Sequence, residues 1–515
     1  MPRLSRRSSR ILSVVVIAAA AVAALIASHR TSAHEHHARG AQAANEVTVG
    51  TATTGRPIPA GFLGLSLETS AIEPYAGTDP KAVNPVFEQL VRNLTPNQTP
   101  VLRIGGDSTD WSWWPVPGAT RPRGVRVNLD DQWMRVTAAV THDLGARLVL
   151  GIDLEMNNRT DAAAEANTFL HAVGRGSVVA FELGNEPELY GSLTWFVDPN
   201  GVHVTGRPPG YNFSDYLNDF SSTGKLLPRG IPLAGPASGG QHWLPNLGPF
   251  LSAESLVKLA TLHAYPLQQC YVPTYSPQYP TVAHILAPSA SQGLAESIAP
   301  YVGVAHSHGA LVRIDEINDD SCGAVPSVDH GFVSALWALD ASFQMARIGA
   351  DGVNFHTYPG APYGLFTFTR AHRKWEGSVS PEYYGLEMFA QAVPPGARML
   401  RLSGSLGDVR AWATRAPDGT VHVVLINDDT AQSRSVTVRI PGATGTATLE
   451  RLRAAGITAS TGVTLGGQTF GSATRTGTLT GHSTTASVRA KHGAYAVDLP
   501  SASAAMLTLA APAPA

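Results

Sequence analysis

Residues 181–188 are Phe-Glu-Leu-Gly-Asn-Glu-Pro-Glu, a short apolar strand that stops in a carboxylate at Glu186. Because Gly-Asn precedes Glu186 and a proline follows it, no regular strand or helix continues through this position. A parallel barrel presents catalytic side chains in this way, on a tight turn at the end of a strand. Residues 311–318, Leu-Val-Arg-Ile-Asp-Glu-Ile-Asn, repeat the pattern with a β-branched run that ends at Glu316. The two stretches predict that Glu186 and Glu316 are a pair of catalytic carboxylates.

Short apolar strands alternate with amphipathic helices between residues 60 and 395, a pattern typical of βα units and a parallel sheet. One helix is predicted near 132–142, with Asp130 or Asp131 as its N-cap and Gly145 just past its end. Eight strands, each followed by a helix or a long loop, predict an α/β fold, a (β/α)8 TIM barrel with insertions. The predicted strands are 62–68, 101–105, 147–154, 178–184, 231–235, 256–263, 311–316 and 352–356.

The pattern changes after Pro395, where alternating, threonine-rich strands are separated by turn signals such as Pro417-Asp418-Gly419. Alternation without a helical stripe predicts a C-terminal antiparallel β-sandwich domain. Residues 46–57 also alternate, and we expect them to join this sandwich because chain termini often lie close together. The predicted domains are a signal peptide or anchor with linker at 1–45, the joining strand at 46–57, the catalytic barrel at 58–395 and the sandwich at 396–515.

Composition and charge narrow the class of function. Charged residues make up 15% of the 515 residues, and 37 Lys+Arg nearly balance 39 Asp+Glu for a net charge of −2. This balance argues against a nucleic-acid partner.

The N-terminus combines a basic segment with an apolar run at 11–27 and then small residues, which is typical of a secretory signal. We expect a secreted protein, and an uncleaved segment would instead anchor it to the membrane on the extracytoplasmic side.

The chain has two cysteines, Cys270 and Cys322. In an exported protein a lone pair favours one disulfide, whereas zinc would need further ligands that are not spaced around them. Cys270 lies five residues past Tyr265 and Cys322 lies six past Glu316, so both fall on neighbouring loops of the predicted barrel. We therefore expect a disulfide that clamps the loop carrying Gly323, and we expect no metal or cofactor.

Two carboxylates suit glycosidic cleavage, because one donates a proton to the leaving oxygen while the other attacks the anomeric carbon. A separation of about 5–5.5 Å implies retention of configuration, and one of about 6.5–9.5 Å implies inversion. Glu182 is expected to face the same side of the strand as Glu186 and is an alternative catalytic acid, but it lies four residues earlier, deeper in the barrel. Asp315 competes with Glu316. Since neighbouring strand residues face opposite sides, we expect Arg313 and Asp315 to point outward.

Several other polar and aromatic residues have two open interpretations. Arg103 is either structural or a group that steadies the nucleophile. Asn354 and His356, on the last predicted strand, either line the pocket or hold the core. Three tryptophans after the second strand could stack on a sugar ring or pack in a loop, namely Trp111, Trp113 and Trp114.

The residues around both acids resemble the large retaining-glycosidase clan built on strands four and seven, whose acid/base signature is similar to Asn-Glu-Pro at 185–187. Within that clan the chain resembles glycoside hydrolase family 79, which includes bacterial β-glucuronidases and the heparanases, over roughly residues 46–512. The stretch Arg-Ile-Gly-Gly-Asp-Ser-Thr-Asp at 103–110 narrows the resemblance to this family. Further supporting stretches are 61–66, 262–266 and 351–356.

The resemblance implies a role for each matching position. Glu186 would be the general acid/base, Glu316 the nucleophile, and Tyr265 a neighbour that orients the nucleophile. The family places other sugar contacts at Glu68, Asp107 and Asn185, and contacts with a glucuronate carboxylate at the backbone N–H groups of Gly323 and Ala324 and at Tyr363. Ala324 departs from a more glycine-rich loop of the family. A carboxylate held by amides and a phenol needs no arginine, which agrees with the lack of a basic cluster in the sequence.

The resemblance therefore implies a metal-independent, exo-acting enzyme that releases β-linked glucuronic acid from a carbohydrate substrate with retention. The nearest alternative is the same machinery acting on a xyloside, an arabinoside or a glucan. Endo action of the heparanase kind is disfavoured because no basic, sulfate-binding cluster is apparent. A third alternative is a cell-wall-binding protein on an inactive barrel, and the presence of both glutamates argues against it.

Overall fold

The computed structural model describes residues 45–510, so the predicted signal segment lies outside the described residues. Eight parallel strands close into a barrel, followed by a separate C-terminal sheet, which confirms the predicted fold class. We number the barrel strands 1 to 8. They are Leu63–Glu68, Val101–Gly105, Arg147–Ile152, Val178–Leu183, Leu233–Ser238, Val257–Ala264, Leu311–Ile317 and Gly352–Thr357.

Helices pack around the barrel and bury their apolar sides against it. In the helix Asp131–Leu144, Asp130 accepts a hydrogen bond from the N–H of Trp133 at 2.8 Å, and Gly145 adopts a left-handed φ of 59° just past the last turn. Within residues 45–510 no helix has both the length and the apolar character that a membrane span requires. The helices are Ile72–Ala76, Pro85–Leu94, Asp131–Leu144, Arg159–Val173, Phe213–Gly224, Leu247–Ala253, Val282–Leu286, Leu294–Ser307, Pro326–Asp329, Phe332–Arg347 and Pro381–Ala392.

The C-terminal domain is a sheet of ten strands. The strand Glu46–Thr54 lies within it, antiparallel to Arg398–Ser405 and parallel to Arg434–Arg439. The strand Ala494–Leu499, at one end of the sheet, contacts Ser503–Leu509 near the other, so the sheet folds over a second apolar core. The remaining strands are Val409–Arg415, Val421–Asn427, Thr446–Arg453, Thr464–Leu465 and Ala486–Arg489.

The outer face of this sheet packs against the barrel helices. Trp412 stacks on Phe343 with ring centroids 5.4 Å apart, and its indole N–H donates to Asp340 at 2.8 Å. Arg410, two residues earlier on the same strand, also pairs with Asp340. These contacts join the sheet to the barrel through the buried side chains of Phe343 and Asp340.

The prediction that Arg313 and Asp315 point outward is wrong. Both side chains are buried inside the barrel, where Arg313 donates to the carbonyl of Gly61 at 2.6 Å and to Asn354 at 2.7 Å. The pairing of strand 7 with strand 6 shifts by one residue just before Glu316. A bulge of this kind breaks the alternation of side chains, so Asp315 and Glu316 both face the interior.

Candidate active site

The carboxyl ends of strands 4 and 7 bring Glu186 and Glu316 together. One carboxylate oxygen of each glutamate and one ring nitrogen of His263 lie within 4.8 Å of one another. Glu186 has a left-handed φ of 46°, and its N–H donates to the carbonyl of Ala237 at 2.9 Å. A β-carbon at Gly239 would lie 2.1 Å from the Glu186 carboxylate, so only glycine leaves room for this side chain. The turn therefore fixes the acid at the rim of the barrel.

Glu316 is the more enclosed of the two acids, with a side chain 9% exposed against 23% for Glu186. Its oxygens accept hydrogen bonds from the Tyr265 hydroxyl at 2.7 Å and from Arg103 Nη1 at 2.5 Å. Burial alone would raise the pKa of Glu316, but the positive charges of His356, His263 and Arg103 outweigh it and hold the pKa well below its usual range. Glu316 is therefore ionised, as a nucleophile must be.

Arg103 is fully buried beneath the two acids and donates hydrogen bonds to several side chains at once. Its Nε donates to Glu182 at 2.7 Å, its Nη1 to Glu316, and its Nη2 to the side-chain oxygen of Asn185 at 2.7 Å. Of the two interpretations of Arg103, the contact with Glu316 favours the one in which it steadies that carboxylate. Glu182 has no exposed surface and lies below the guanidinium, away from the open end of the barrel.

His263 was not singled out from the sequence as a site residue. Its Nδ1 lies 2.8 Å from the Glu186 carboxylate, and its Nε2 lies 3.7 Å from Asp315. Burial would lower the pKa of this imidazole, but the charges of Glu316 and Asp315 and the hydrogen bond to Glu186 raise it well above its usual value. The available signal was its position two residues before Tyr265, which places both side chains on one face of strand 6.

An inner cavity of about 490 Å³ opens above Glu316 and Glu186. Five of the seven predicted sugar contacts line it, namely Glu68, Asp107, Asn185, Tyr265 and Tyr363. Gly323 and Ala324 do not line it, and the Ala324 N–H donates instead to the side-chain oxygen of Gln269 at 2.9 Å. No lysine or arginine of the described chain lines this cavity.

Carboxyl groups dominate the polar lining of the inner cavity, and the pKa of several of them is raised. Burial and the nearby charges of Glu68, Glu186 and Glu316 raise the pKa of Asp107 well above its usual value. Burial, together with the charge of Asp110, raises the pKa of Glu155 to about 9. A neutral carboxylic acid can donate a hydrogen bond to a sugar oxygen, which an ionised one cannot do.

A second cavity of about 760 Å³ lies on the other side of Glu186. Glu316 lines only the inner cavity, whereas five residues line both cavities: Glu186, Leu189, Tyr265, Tyr271 and Ser321. The rest of the second cavity presents the Glu188 carboxyl group, the imidazoles of His242 and His263, and amides, hydroxyls and apolar side chains such as Gln241, Ser297 and Leu294. Glu186 therefore stands at the junction of two separate spaces.

The predicted disulfide between Cys270 and Cys322 is confirmed. It joins the loop after strand 6 to the loop after strand 7, and Cys322 lines the inner cavity. The same two loops are also joined by a backbone hydrogen bond from Gln269 to the carbonyl of Cys322 at 2.9 Å.

The variant Cys322→Ser should weaken substrate binding more than folding. We expect the KM to rise by about tenfold, equivalent to roughly 1.4 kcal/mol of binding free energy, because the loop can then move away from the cavity. Folding should be affected less than substrate binding, so the melting temperature should change only slightly, since the backbone hydrogen bond between the loops remains. Steady-state kinetics and calorimetry on wild type and variant, with Cys270→Ser as the matched control, test this. An unaltered KM in both variants would contradict it.

The remaining ambiguous residues divide between the two interpretations. Trp111 lines the inner cavity, and the Arg126 guanidinium lies 3.8 Å from its ring centre. Trp113 packs in a small buried cluster and Trp114 against the main core. His356 lines the inner cavity, whereas Asn354 holds Arg313 lower in the barrel.

Comparisons with known proteins agree with this architecture. Residues 411–506 match the family model described as the glycosyl hydrolase family 79 C-terminal beta domain. The chain is 22% identical to a β-glucuronidase of Aspergillus niger over 463 residues, covering 80% of this chain and 83% of the relative. It superposes with a TM-score of 0.66 on a 4-O-α-L-rhamnosyl-β-D-glucuronidase of Fusarium oxysporum, at 19% identity over 90% of this chain and 100% of the other. A family 51 arabinofuranosidase of Xanthomonas axonopodis gives a TM-score of 0.63, at 17% identity over 91% of this chain and 100% of the other. The predicted resemblance to family 79 is confirmed.

Proposed function

We propose that this chain, which is a glycoside hydrolase similar to the enzymes of family 79, is a retaining, exo-acting β-glucuronidase. The observation that carries the proposal is the approach of Glu186 and Glu316, with an oxygen of one within 4.8 Å of an oxygen of the other. Retaining enzymes hold their two carboxyl groups about 5–5.5 Å apart, whereas inverting enzymes leave room for a water between them. The spacing thus favours direct attack by a carboxylate.

In the proposed mechanism Glu316 attacks the anomeric carbon while Glu186 gives a proton to the leaving oxygen. This forms a covalent glycosyl-enzyme, which water then hydrolyses with Glu186 as the base. Arg103 and Tyr265 hold Glu316 by hydrogen bonds to different oxygens, which orients the attacking lone pair. We propose that Asn185, which accepts a hydrogen bond from Arg103, binds the 2-hydroxyl of the sugar.

The two cavities assign the two sides of the scissile bond. The sugar that is attacked must contact Glu316, so it occupies the inner cavity. The leaving group must contact the acid, so it extends into the second cavity, which Glu186 also lines. Neither cavity is lined by a lysine or arginine among residues 45–510, which argues against a sulfated polymer as the substrate.

The choice of glucuronate rests on the named relatives and on the tyrosines of the inner cavity. Burial raises the pKa of Tyr363 well above its usual value, and burial also raises that of Tyr358, so both phenols remain donors. We propose that they bind the carboxylate of the sugar. The proposed contact with Ala324 requires that the substrate replace the Gln269 side chain on its N–H group.

A second candidate is a glycosidase for an uncharged sugar, such as an arabinoside, a xyloside or a glucan. The acid-rich, arginine-free lining of the inner cavity favours it, because an ionised glucuronate must enter near Glu68, Glu186 and Glu316. The raised pKa of Asp107 and of Glu155 reduces this repulsion, because each group then holds its proton to higher pH.

A panel of 4-nitrophenyl glycosides separates the two candidates. We expect kcat/KM on the β-glucuronide to exceed that on the β-glucoside, β-xyloside and α-arabinofuranoside by about 100-fold or more, a difference of roughly 2.7 kcal/mol. The β-glucoside is the matched control, because it differs only in having a hydroxymethyl group in place of the carboxylate. A faster reaction on any uncharged glycoside would establish the second candidate instead.

We further propose that the protein is secreted. A disulfide between exposed loops persists in oxidising compartments and is rare in the cytosol. The basic and apolar N-terminal segment in the sequence supports the same location, and immunodetection in the culture medium of the native cells tests it.

A further inference from the structure

We propose that Glu182 and Asp315 form a hydrogen-bonded pair beneath the active site, in which Glu182 is the protonated partner and Asp315 the ionised one. Through this pair Asp315 acts as a positioning residue for His263 and Glu186. The inference rests on the proposed function, because its main readout is the pH dependence of hydrolysis.

The carboxyl groups of Glu182 and Asp315 both approach the same nitrogen of the Arg103 guanidinium. Glu182 accepts a hydrogen bond from Arg103 Nε at 2.7 Å, and Asp315 Oδ2 lies 3.2 Å from the same nitrogen. Both acids have no exposed surface. Since the other nitrogens of Arg103 serve Glu316 and Asn185, one N–H is left for two buried carboxyl groups.

The hydrogen-bonding pattern indicates that one of the two carboxyl groups is protonated. Within the described chain, Glu182 Oε1 and both Asp315 oxygens have no hydrogen-bond donor, although all are buried. Two ionised carboxylates in this position would repel each other and leave these oxygens unsatisfied. A proton on Glu182 Oε1, donated to Asp315, removes the repulsion and gives a partner to Glu182 Oε1 and to one of the two Asp315 oxygens.

The environments of the two acids decide which one holds the proton. Burial raises the pKa of Glu182, Arg103 lowers it and the Asp315 charge raises it, with a net value of about 8. Burial would also raise the pKa of Asp315, but the charges of Arg103 and His263 bring it below its usual value. Asp315 has two cationic neighbours and Glu182 has one, so Asp315 is the anion.

The anion on Asp315 matters because it faces His263. The imidazole is sandwiched between Asp315 at 3.7 Å and Glu186 at 2.8 Å, with no exposed surface of its own. Asp315 thus helps to keep the ring protonated and its N–H directed at Glu186. The other charged or titratable groups that face this layer are Arg103, Glu316, His356, Glu68, Glu188 and the hydroxyl of Tyr216.

The test compares Glu182→Gln with Glu182→Leu and Asp315→Asn in the full chain. Glutamine keeps a donor toward Asp315 and an acceptor for Arg103, so we expect kcat and its pH profile to stay within about threefold of wild type. Leucine removes both and should lower kcat by about tenfold or more. Asp315→Asn should move the alkaline limb of the kcat profile to lower pH by about one unit, since the imidazolium loses its counter-ion.

Infrared difference spectroscopy between wild type and Glu182→Gln gives a second readout, in which one protonated carboxyl band of the wild type should be lost in the variant while those of other buried acids remain. If Glu182→Gln is inactive or unfolded, or if the band persists in it, the pair is not built as proposed. An unshifted pH profile in folded Asp315→Asn would equally overturn the link to His263, and where that variant does not fold, Glu182→Gln decides alone. A wild type that hydrolyses no glycoside would refute the proposed function instead, while the infrared band and the melting temperature of Glu182→Gln would still test the pair.

Discussion

Glu316→Gln should abolish hydrolysis, with kcat falling by about 10⁴-fold or more, as expected when a covalent nucleophile is removed. Glutamine keeps the shape of the side chain, and its single oxygen can still accept the hydrogen bond from Arg103 while its NH2 group faces the Tyr265 hydroxyl. Its amide cannot form the glycosyl-enzyme, so the loss should be the same for good and poor leaving groups. Steady-state kinetics on aryl glucuronides with a range of leaving groups measure this, with circular dichroism to confirm folding.

Glu186→Gln is the matched control for that experiment. A general acid contributes about 10²–10⁴-fold, and it contributes least when the leaving group is already a stable anion. We therefore expect Glu186→Gln to retain much of its activity on a dinitrophenyl glucuronide and little on an alkyl glucuronide. Small anions such as azide should restore turnover in Glu316→Ala and give a product of the opposite anomeric configuration. If Glu316→Gln were the variant that tolerates good leaving groups, the two roles would have to be exchanged.

Arg103→Met should have the second-largest effect, because it leaves three carboxyl groups of the barrel interior without their cation. Breaking a buried ion pair by removing one partner costs about 3–5 kcal/mol of unfolding free energy. We also expect kcat to fall by about 100-fold or more, since Glu316 and Asn185 lose the donor that fixes both of them. Urea unfolding and steady-state kinetics measure the two effects separately.

Arg313→Met provides the control for this prediction. Arg313 is buried in the same barrel, but it binds the amide of Asn354 and the carbonyl of Gly61 and makes no ion pair. Its loss should lower stability while leaving kcat of the folded enzyme near that of wild type. Arg103→Met with a wild-type kcat would show that the guanidinium is structural only.

Much of the barrel could be predicted from the sequence because its signals are local. Each strand is a short β-branched run between turn signals, and the predicted bounds of strand 2 match the structure at both ends. The predicted strand at 231–235 is displaced, since strand 5 begins at Leu233 and extends to Ser238 through Pro236. A proline inside a run argues for an early end, and here the neighbouring strands overrode that local preference.

The buried charged layer could not be predicted in the same way, since it depends on register. Strict alternation would turn Asp315 and Glu316 to opposite sides, and a one-residue bulge in strand 7 places both inside. The position of a bulge depends on pairing with the next strand, which one sequence does not reveal. A usable signal was nonetheless present. Arg103, Glu182 and Asp315 are charged residues inside apolar strands, and such charges must find one another in the interior.

The loop contacts were the least accessible to sequence reasoning. Gly323 and Ala324 were placed by resemblance, yet the Ala324 N–H is taken by Gln269, a side chain on a different loop. The disulfide was predictable because only two cysteines exist and both follow neighbouring strands. Contacts between side chains of the two loops decide which atoms face the cavity, and the sequence pattern does not reveal these contacts.

The most direct test of a retaining β-glucuronidase is proton NMR of the first product released from 4-nitrophenyl β-D-glucuronide, recorded before the anomers equilibrate. We predict free β-glucuronic acid as the initial product, with the α-anomer appearing later by mutarotation. Initial release of the α-anomer, or no release of glucuronic acid at all, would contradict the double displacement by Glu316 and Glu186.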